Sequence, residues 1–517
     1  MMRNSFAAGL GVAALAFALC AAAWTRSAAA SRQAGSSATN LAQAIRLHPK
    51  NPHYFLFRGK AVALATSGEH YGAVLNGDFD YGKYLGALAA ERLNFTRIFG
   101  GSYVEKPGKS FGILRNDLAP GAGRYIAPWA RSDVAGYAGG GNKFDLERWD
   151  AEHFRRLHEF LTKAGERGIV VEISLFSSHY GELQWALSAL NPANNVNMKD
   201  GGATDYKKVQ TLENGSALAY QERYTRKLVR EANGFDNVIF EIQNEPWADR
   251  PAAVGAIGLV NPMLQGAARD RFPNTAELAD ALSLAWQAKV AEWITSEEAG
   301  LPNKHMIAQN ISNFRYPVRR LLPGVSIANF HYADADAVAW NYGLDKAISC
   351  DETGFMGRDD ALYRREAWNF MMASGGIFDG LDYSFSVGHE DGTDTEANGP
   401  GGGSAALRRE LGVLSEFLRS FDLAEMHPDA RAVRHSTGTV ARVLSNPGRE
   451  YAMYFDGDGP TEVTLDLPEG LYAGEWVNVR TGRVERSEEI RAGRGVLVVE
   501  SREFVNGIAL RLKRKER

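Results

Sequence analysis

The sequence predicts an α/β fold, a (β/α)8 barrel of the TIM type followed by a small all-β sandwich, in a chain of 517 residues. Three observations carry that prediction. Short buried-type strands alternate with helical stretches through residues 53–421. The segments that follow the strands are long and rich in Gly, Pro and aromatics. Beyond residue 422 the helical periodicity stops.

The first thirty residues stand outside this pattern. Arg3 precedes an alanine-rich apolar stretch from Phe6 to Trp24, which ends in Ala28-Ala29-Ala30. That is the form of a secretory signal peptide over 1–30 with an A-x-A-like cleavage site. A membrane anchor is the alternative, but the run is short and weakly hydrophobic for a stable span. Leu19 is bulkier than the residue that usually precedes a lipid-modified cysteine, which argues against lipidation of Cys20. The mature chain is therefore expected in the periplasm or outside the cell, with no membrane insertion after cleavage. It keeps one cysteine, Cys350, so no intrachain disulfide can form and stability must come from core burial. Residues 31–52 read as a linker.

Hydrophobic content of 45% and charged content of 23% are those of a globular protein. A formal net charge of −4 gives no global field to recruit nucleic acid or an anionic membrane. The basic tail LKRKER reads as a solvated terminus.

Eight strands are expected at 61–66, 95–99, 169–175, 238–242, 305–310, 326–330, 347–350 and 377–383. Runs of Val, Ile and Phe without strict alternation suit parallel strands covered on both faces. Helical periods fall at 81–92, 146–167, 217–232, 275–298, 360–373 and 405–421, and the helices after strands five and six look short or irregular. A doubly wound open sheet is the alternative, but no Gly-rich phosphate turn follows the first strand. The long loops 100–142, 177–215 and 247–274 all follow strands, which places them at the end of a barrel where active sites are built. From 422 to 517, runs such as TVARVL, EYAMYF and GEWVNV alternate with Gly, Asp and Asn turns, as in an antiparallel sandwich.

The chemistry concentrates in NVIFEIQNEPWADR, residues 237–250. Side chains alternate along a strand, so Glu241, Gln243 and Glu245 share a face and Asn244 points the other way. At about 3.3 Å per residue, Glu241 lies roughly 13 Å below Glu245. Glu245 then stands at the rim, where Pro246 ends the ladder, and Glu241 is a buried structural carboxylate. A partner carboxylate is offered at the end of strand seven by KAISCDETGF, with Asp351 and Glu352. Two carboxyls flanking one bond, one protonated and one ionised, are the equipment of glycoside hydrolysis.

FEIQNEP at strand four and DETGF at strand seven resemble the paired signatures of the clan A retaining glycosidases, including family 5 cellulases and mannanases. The resemblance covers residues 53–421 and implies Glu245 as acid/base, Glu352 as nucleophile and Asn244 on the sugar 2-hydroxyl. It also implies that Arg97 in NFTRIF hydrogen-bonds the nucleophile, and that His331 and Tyr332 in NFHYA hold the site, the tyrosine orienting Glu352 and lowering its pKa. His179 resembles a substrate-binding histidine. The chain departs from family 5 where GLDYSFS places Tyr383 and Phe385 in the position of a common tryptophan, and where Glu69, His70 and Tyr71 follow strand one. The C-terminal GEWVNVRTGR resembles the sandwich that follows other clan A barrels.

Trp129, Trp185, Trp247 and Trp340 fall in or near rim loops and are candidates to stack on sugars, Trp247 being the best placed. Asp391, Asp394 and Glu396 offer oxygen donors for calcium, but without the spacing of a known loop, and a solvated loop is the simpler reading. His305 and His427 lack partners at zinc-ligand spacing, and Cys350 reads as a small core residue. No metal and no cofactor is expected. The sequence thus points to a secreted retaining β-glycoside hydrolase acting on oligo- or polysaccharide, with endo action favoured by loops on several sides and by the spaced tryptophans. Alternatives are an exo-acting enzyme of the same clan, a carbohydrate-binding barrel without activity, and a metal-dependent barrel hydrolase, for which ligands are lacking.

Overall fold

The computed structural model describes residues 43–68, 70–199, 202–253, 276–396 and 401–515. The expected signal peptide and Glu69 lie outside the described residues.

Eight parallel strands form the expected barrel: Leu64–Ala65, Phe95–Phe99, Val170–Ser177, Val238–Asn244, Met306–Asn313, Val325–His331, Ala347–Glu352 and Ile377–Phe378. They are strands one to eight below. Each pairs with its successor from strand two to strand eight, and strand eight pairs back to strand one. Strands three, four and seven are buried at every residue, as sheets sandwiched between helices and a packed interior require.

The seam between strands one and two is closed by a side chain. Asn94 Nδ2 donates to the Ala63 carbonyl at 2.9 Å and Asn94 Oδ1 accepts from the Ala65 N–H at 3.0 Å. Further up, His70 N–H reaches Arg97 O at 3.2 Å and Phe99 N–H reaches Tyr71 O at 3.1 Å. An amide side chain thus stands in for the ladder that a two-residue first strand is too short to make.

Helices of the outer ring run over Tyr81–Ala90, Ala151–Glu166, Ala217–Ala232, Ala281–Glu298, Ala335–Asn341, Asp360–Met371 and Ala405–Arg419. Six of these seven begin at an Asp or Ser whose side chain accepts a first-turn N–H: Asp80, Asp150, Asp280, Asp334, Asp359 and Ser404. Two expected helices start later than their periodicity suggested. Residues Asn142–Trp149 form a hairpin with Trp129–Ala135, because Phe144 and Leu146 bury at a spacing of two. Glu277–Leu278 pairs with strand five before the helix begins.

Strands one and eight are also shorter than expected. Lys60–Val62 belongs to a three-stranded antiparallel sheet with Phe55–Phe57 and Arg46–Leu47. Residues expected to be linker therefore carry a strand. This sheet places Ile45, Phe55 and Phe57 in one apolar cluster with Phe95, Val170, Ile239, Met306, Ile327 and Ile377, one residue from nearly every strand start. It is a floor across the N-terminal end of the barrel.

The C-terminal region is a sandwich of a six-stranded and a three-stranded antiparallel sheet around Met453, Phe455, Leu465, Trp476, Leu510 and Leu512. Its other face packs on the barrel helices. Tyr454 stacks on Trp368 with centroids 5.2 Å apart, and Arg365 pairs with Asp456 at 2.7 Å.

Replacing Asn94 by Ala removes both seam bonds and leaves a buried carbonyl and N–H unpaired. The expected cost is about 2 kcal/mol, read as a lowered thermal midpoint; an unchanged midpoint would show that the seam needs no bridge.

Candidate active site

The C-terminal ends of the barrel strands share a backbone peculiarity. Tyr180, Glu245, Phe314, Tyr332 and Phe355 follow strands three to seven in turn, and all have φ between 47° and 64°. This left-handed region is sparsely used by non-glycine residues and strains the backbone where it occurs. At Glu245 it resolves a conflict in the sequence reading. Alternation placed Asn244 and Glu245 on opposite faces, but the turn at Glu245 breaks the pleat and both residues line the same cavity.

That cavity, about 250 Å³, is lined from all eight strand ends, with residues that include Tyr71, Tyr103, Tyr180, Glu245, Asn313, Tyr332, Glu352 and Tyr383. Glu245 and Glu352 face it together. One oxygen of each, with a ring nitrogen of His331, lie within 4.8 Å of one another.

Glu245 is held on both oxygens. His331 Nδ1 lies 2.9 Å from Oε1 and Tyr180 donates its hydroxyl to Oε2 at 2.8 Å. The Glu245 N–H is taken by Asn310 Oδ1 at 2.9 Å and its carbonyl by Ser178 Oγ at 2.7 Å. Glu352 is held likewise. Tyr332 donates to Oε1 at 2.5 Å, Tyr71 donates to Oε2, and Arg97 reaches Oε2 at 3.4 Å.

Burial pushes the Glu352 carboxyl above the ordinary glutamate value. His331 and Arg97 pull it back, the Glu245 charge adds to the rise, and the Tyr332 bond opposes it. The expected lowering by the tyrosine is present, but it does not outweigh burial. Burial would also discharge His331. The nearby Glu352 and Asp351 charges, with the bond to Glu245, override it and hold the imidazole well above its usual pKa.

Beneath the pair lies a buried charge cluster. Arg97, fully buried, pairs with Glu241 at 2.6 Å and with Asp351 at 3.3 Å, and donates to Asn244 Oδ1 at 2.7 Å and to Tyr71 at 2.8 Å. Asn329 bridges Glu172 at 2.7 Å and Asp351 at 2.9 Å. Burial, then the neighbouring Glu241 and Asp351 charges, push the Glu172 carboxyl well above its ordinary value. Burial opposes the Asp351 charge too, but Arg97 and His331 hold that carboxyl below its usual value. Glu241 is thus the buried structural acid expected of it.

Two trios, Glu241–His331–Asp351 and Glu245–His331–Glu352, have spacing that a metal ion could use. In both, the positive charge is already supplied by the Arg97 guanidinium and the protonated His331.

Other expected residues divide. Asn244, Trp247, Tyr332 and Tyr383 line the cavity. Arg97 and His331 act from beneath it. His179 does not line it: its backbone N–H donates to Asp249 Oδ2 at 2.5 Å, and its ring packs on Trp185 at 5.0 Å. The next residue, Tyr180, lines the cavity instead. Trp129 and Trp185 are core residues, 1% and 2% exposed, and do not present a platform to sugar. Trp340 is exposed, but lies under Arg315 on the helix after strand six and away from the cavity residues. Among the proposed calcium donors, Asp394 and Glu396 bind Arg115 at 2.7 Å and 3.1 Å. No local motif marks Tyr71 or Tyr180 as a carboxylate partner, because each bonds to the end of a different strand, 281 and 65 residues away in sequence.

Substituting Arg97 by Met strips three or more buried carboxylates of their countercharge. The expected loss is about 3–5 kcal/mol or failure to fold, whereas Glu245→Gln keeps a near-native melting temperature. An Arg97→Met protein melting with the parent would refute this account of the cluster.

No protein-family model matches the chain, and no curated protein matches it in sequence. Similar solved structures include a glycoside hydrolase at 11% identity and TM-score 0.56, covering 91% of this chain and 97% of that one. Another is a glycoside hydrolase family 5 structure from Bacteroides vulgatus, at 11% identity and TM-score 0.57, covering 91% and 93%. At that identity the likeness is one of fold, and it extends from the barrel through the β-sandwich.

Proposed function

We propose that the protein is a retaining β-glycoside hydrolase. The observation that carries this reading is the approach of Glu245 and Glu352 within one cavity, at the ends of strands four and seven, with oxygens within 4.8 Å. Retaining enzymes set their carboxyls about 5–5.5 Å apart, and inverting ones about 6.5–9.5 Å apart to admit a water between carboxylate and sugar. The close spacing favours retention. The N-E-P motif at Asn244–Pro246 and the fold of the similar structures support the same assignment.

In the first step a Glu352 oxygen attacks the anomeric carbon as the bond to the leaving oxygen breaks and Glu245 gives that oxygen its proton. In the second, water gives a proton to Glu245 and attacks the same carbon, which releases Glu352 and restores the starting state. Tyr71 and Tyr332, one on each Glu352 oxygen, aim the nucleophile. Tyr180 and His331 do the same for Glu245. Asn244, its amide oriented by Arg97 and by Tyr180 at 2.7 Å, is placed to meet the sugar. The substrate is oligo- or polysaccharide in this reading, and action outside the cytoplasm rests on the N-terminal apolar stretch.

Glu352→Ala with azide is expected to yield the α-glycosyl azide, since azide then attacks from the nucleophile's face. Glu245→Ala is expected to lose about 10²–10⁴-fold on substrates with poor leaving groups and, with azide, to yield the β-azide. A Glu352→Ala protein of full activity would end the assignment.

The pH profile gives an independent check. A nucleophile must be ionised, so the acid limb of kcat/KM reports Glu352 and should fall above the ordinary glutamate value. His331→Gln removes a cation that lowers this pKa, so the limb should move to higher pH. A shift to lower pH would show that His331 does not act on Glu352.

A further inference from the structure

The loops after strands one, two and eight are joined into one wall. Asp117 Oδ2, in the strand-two loop, accepts from the Gly72 N–H at 3.1 Å and lies 3.1 Å from His70 Nδ1, both in the strand-one loop. Asn76 donates to the Asp117 carbonyl at 2.9 Å. The two backbones meet so closely that a Cβ on Gly72 would lie 2.2 Å from the Asp117 carbonyl oxygen. On the other flank, Arg115 ties the strand-two loop to the strand-eight loop through Asp394 and Glu396. Ser386 fixes Asp394 at 2.6 Å. Inside the wall Glu105, 5% exposed, accepts from Tyr103 at 2.9 Å and from Asn116 at 2.5 Å.

The position of this wall relative to the two glutamates has a chemical meaning. The acid must reach the leaving oxygen, so the leaving group departs on the side of Glu245 and strand four. The sugar that becomes bonded to Glu352 then extends the opposite way, toward strands eight, one and two. A glycan continuing past that first sugar would have to pass through Arg115–Asp394 or between the strand-one and strand-two loops at Asp117.

We propose that the wall closes the glycone side of the cavity, so that the enzyme is exo-acting and removes one terminal β-linked sugar at a time. This rests on the assignment of Glu245 as acid and Glu352 as nucleophile. The substrate class is the β-glycoside of a single terminal sugar with an aglycone that extends past Trp247. The expectation of endo action drew on spaced tryptophans, and two of those four are core residues.

The test uses the full chain with 4-nitrophenyl β-glycosides of glucose, galactose, mannose and xylose, and with soluble linear β-glucan, galactomannan and xylan. The expected result is nitrophenol release from a monoglycoside, and single sugars from the matching glycan while its viscosity stays constant. A viscosity fall that precedes sugar release overturns the proposal and leaves the glycosidase assignment standing. No turnover of any probe overturns both. Arg115→Ala, which opens the wall, is expected to raise severalfold the ratio of direct aryl-bond cleavage in a 4-nitrophenyl β-disaccharide to that in the monoglycoside. An unchanged ratio overturns the role of the wall.

Discussion

The Arg97 guanidinium is the constraint on which the rest of the barrel end depends. It is fully buried and is a cation held among Glu172, Glu241, Asp351 and Glu352. Burying that many carboxyls is costly unless charge and hydrogen bonds are matched. The matching is done by few groups: Arg97, His331, and the amides of Asn310 and Asn329. Three of them also have a second task. Arg97 orients Asn244 and Tyr71, His331 braces Glu245, and Asn310 takes the Glu245 N–H. The stability of the interior and the aim of the two cavity-facing carboxylates are thus one arrangement.

The backbone contributes in a different way. Five successive strands end near a left-handed residue, and such positions cost of order 1–3 kcal/mol each. At Tyr180, Glu245, Tyr332 and Phe355 they turn side chains into the cavity that a continuing pleat would direct elsewhere, and three of these four are tyrosine or phenylalanine. The outer helices, well capped and packed on Trp286, Trp293 and Trp368, supply burial to set against that strain.

Much of this was legible from residues alone, and the limits have physical causes. Glu245 and Glu352 could be found because each sits in a short local motif at a strand end. Glu241 could be assigned a structural role because strand periodicity places it below the rim. Asn244 defeated that same periodicity, since a single φ of 47° at the next residue cancels it. Tyr71 and Tyr180 were missed as partners because their contacts span 281 and 65 residues of sequence. The rim tryptophans misled because a loop position says nothing of burial: Trp129 is covered by Tyr224, and Trp185 by His179. The helix starts at 151 and 281 slipped because short strands ran into helices without a Gly or Pro between them.

The apolar floor carries a consequence for the order of events. Ile45, Phe55 and Phe57 stop the barrel axis at its lower end, and the charge cluster fills the space above them. In the exo-acting reading the glycone side is walled as well, and substrate enters the cavity on the side of Glu245 and Trp247. In the proposed two-step mechanism, whatever leaves after the first bond breaks must clear that side before water can reach the sugar ester. A second sugar waiting there stands in the path of the water and in reach of the same base. On that mechanism, hydrolysis and sugar-to-sugar transfer compete directly, decided by what occupies the entrance.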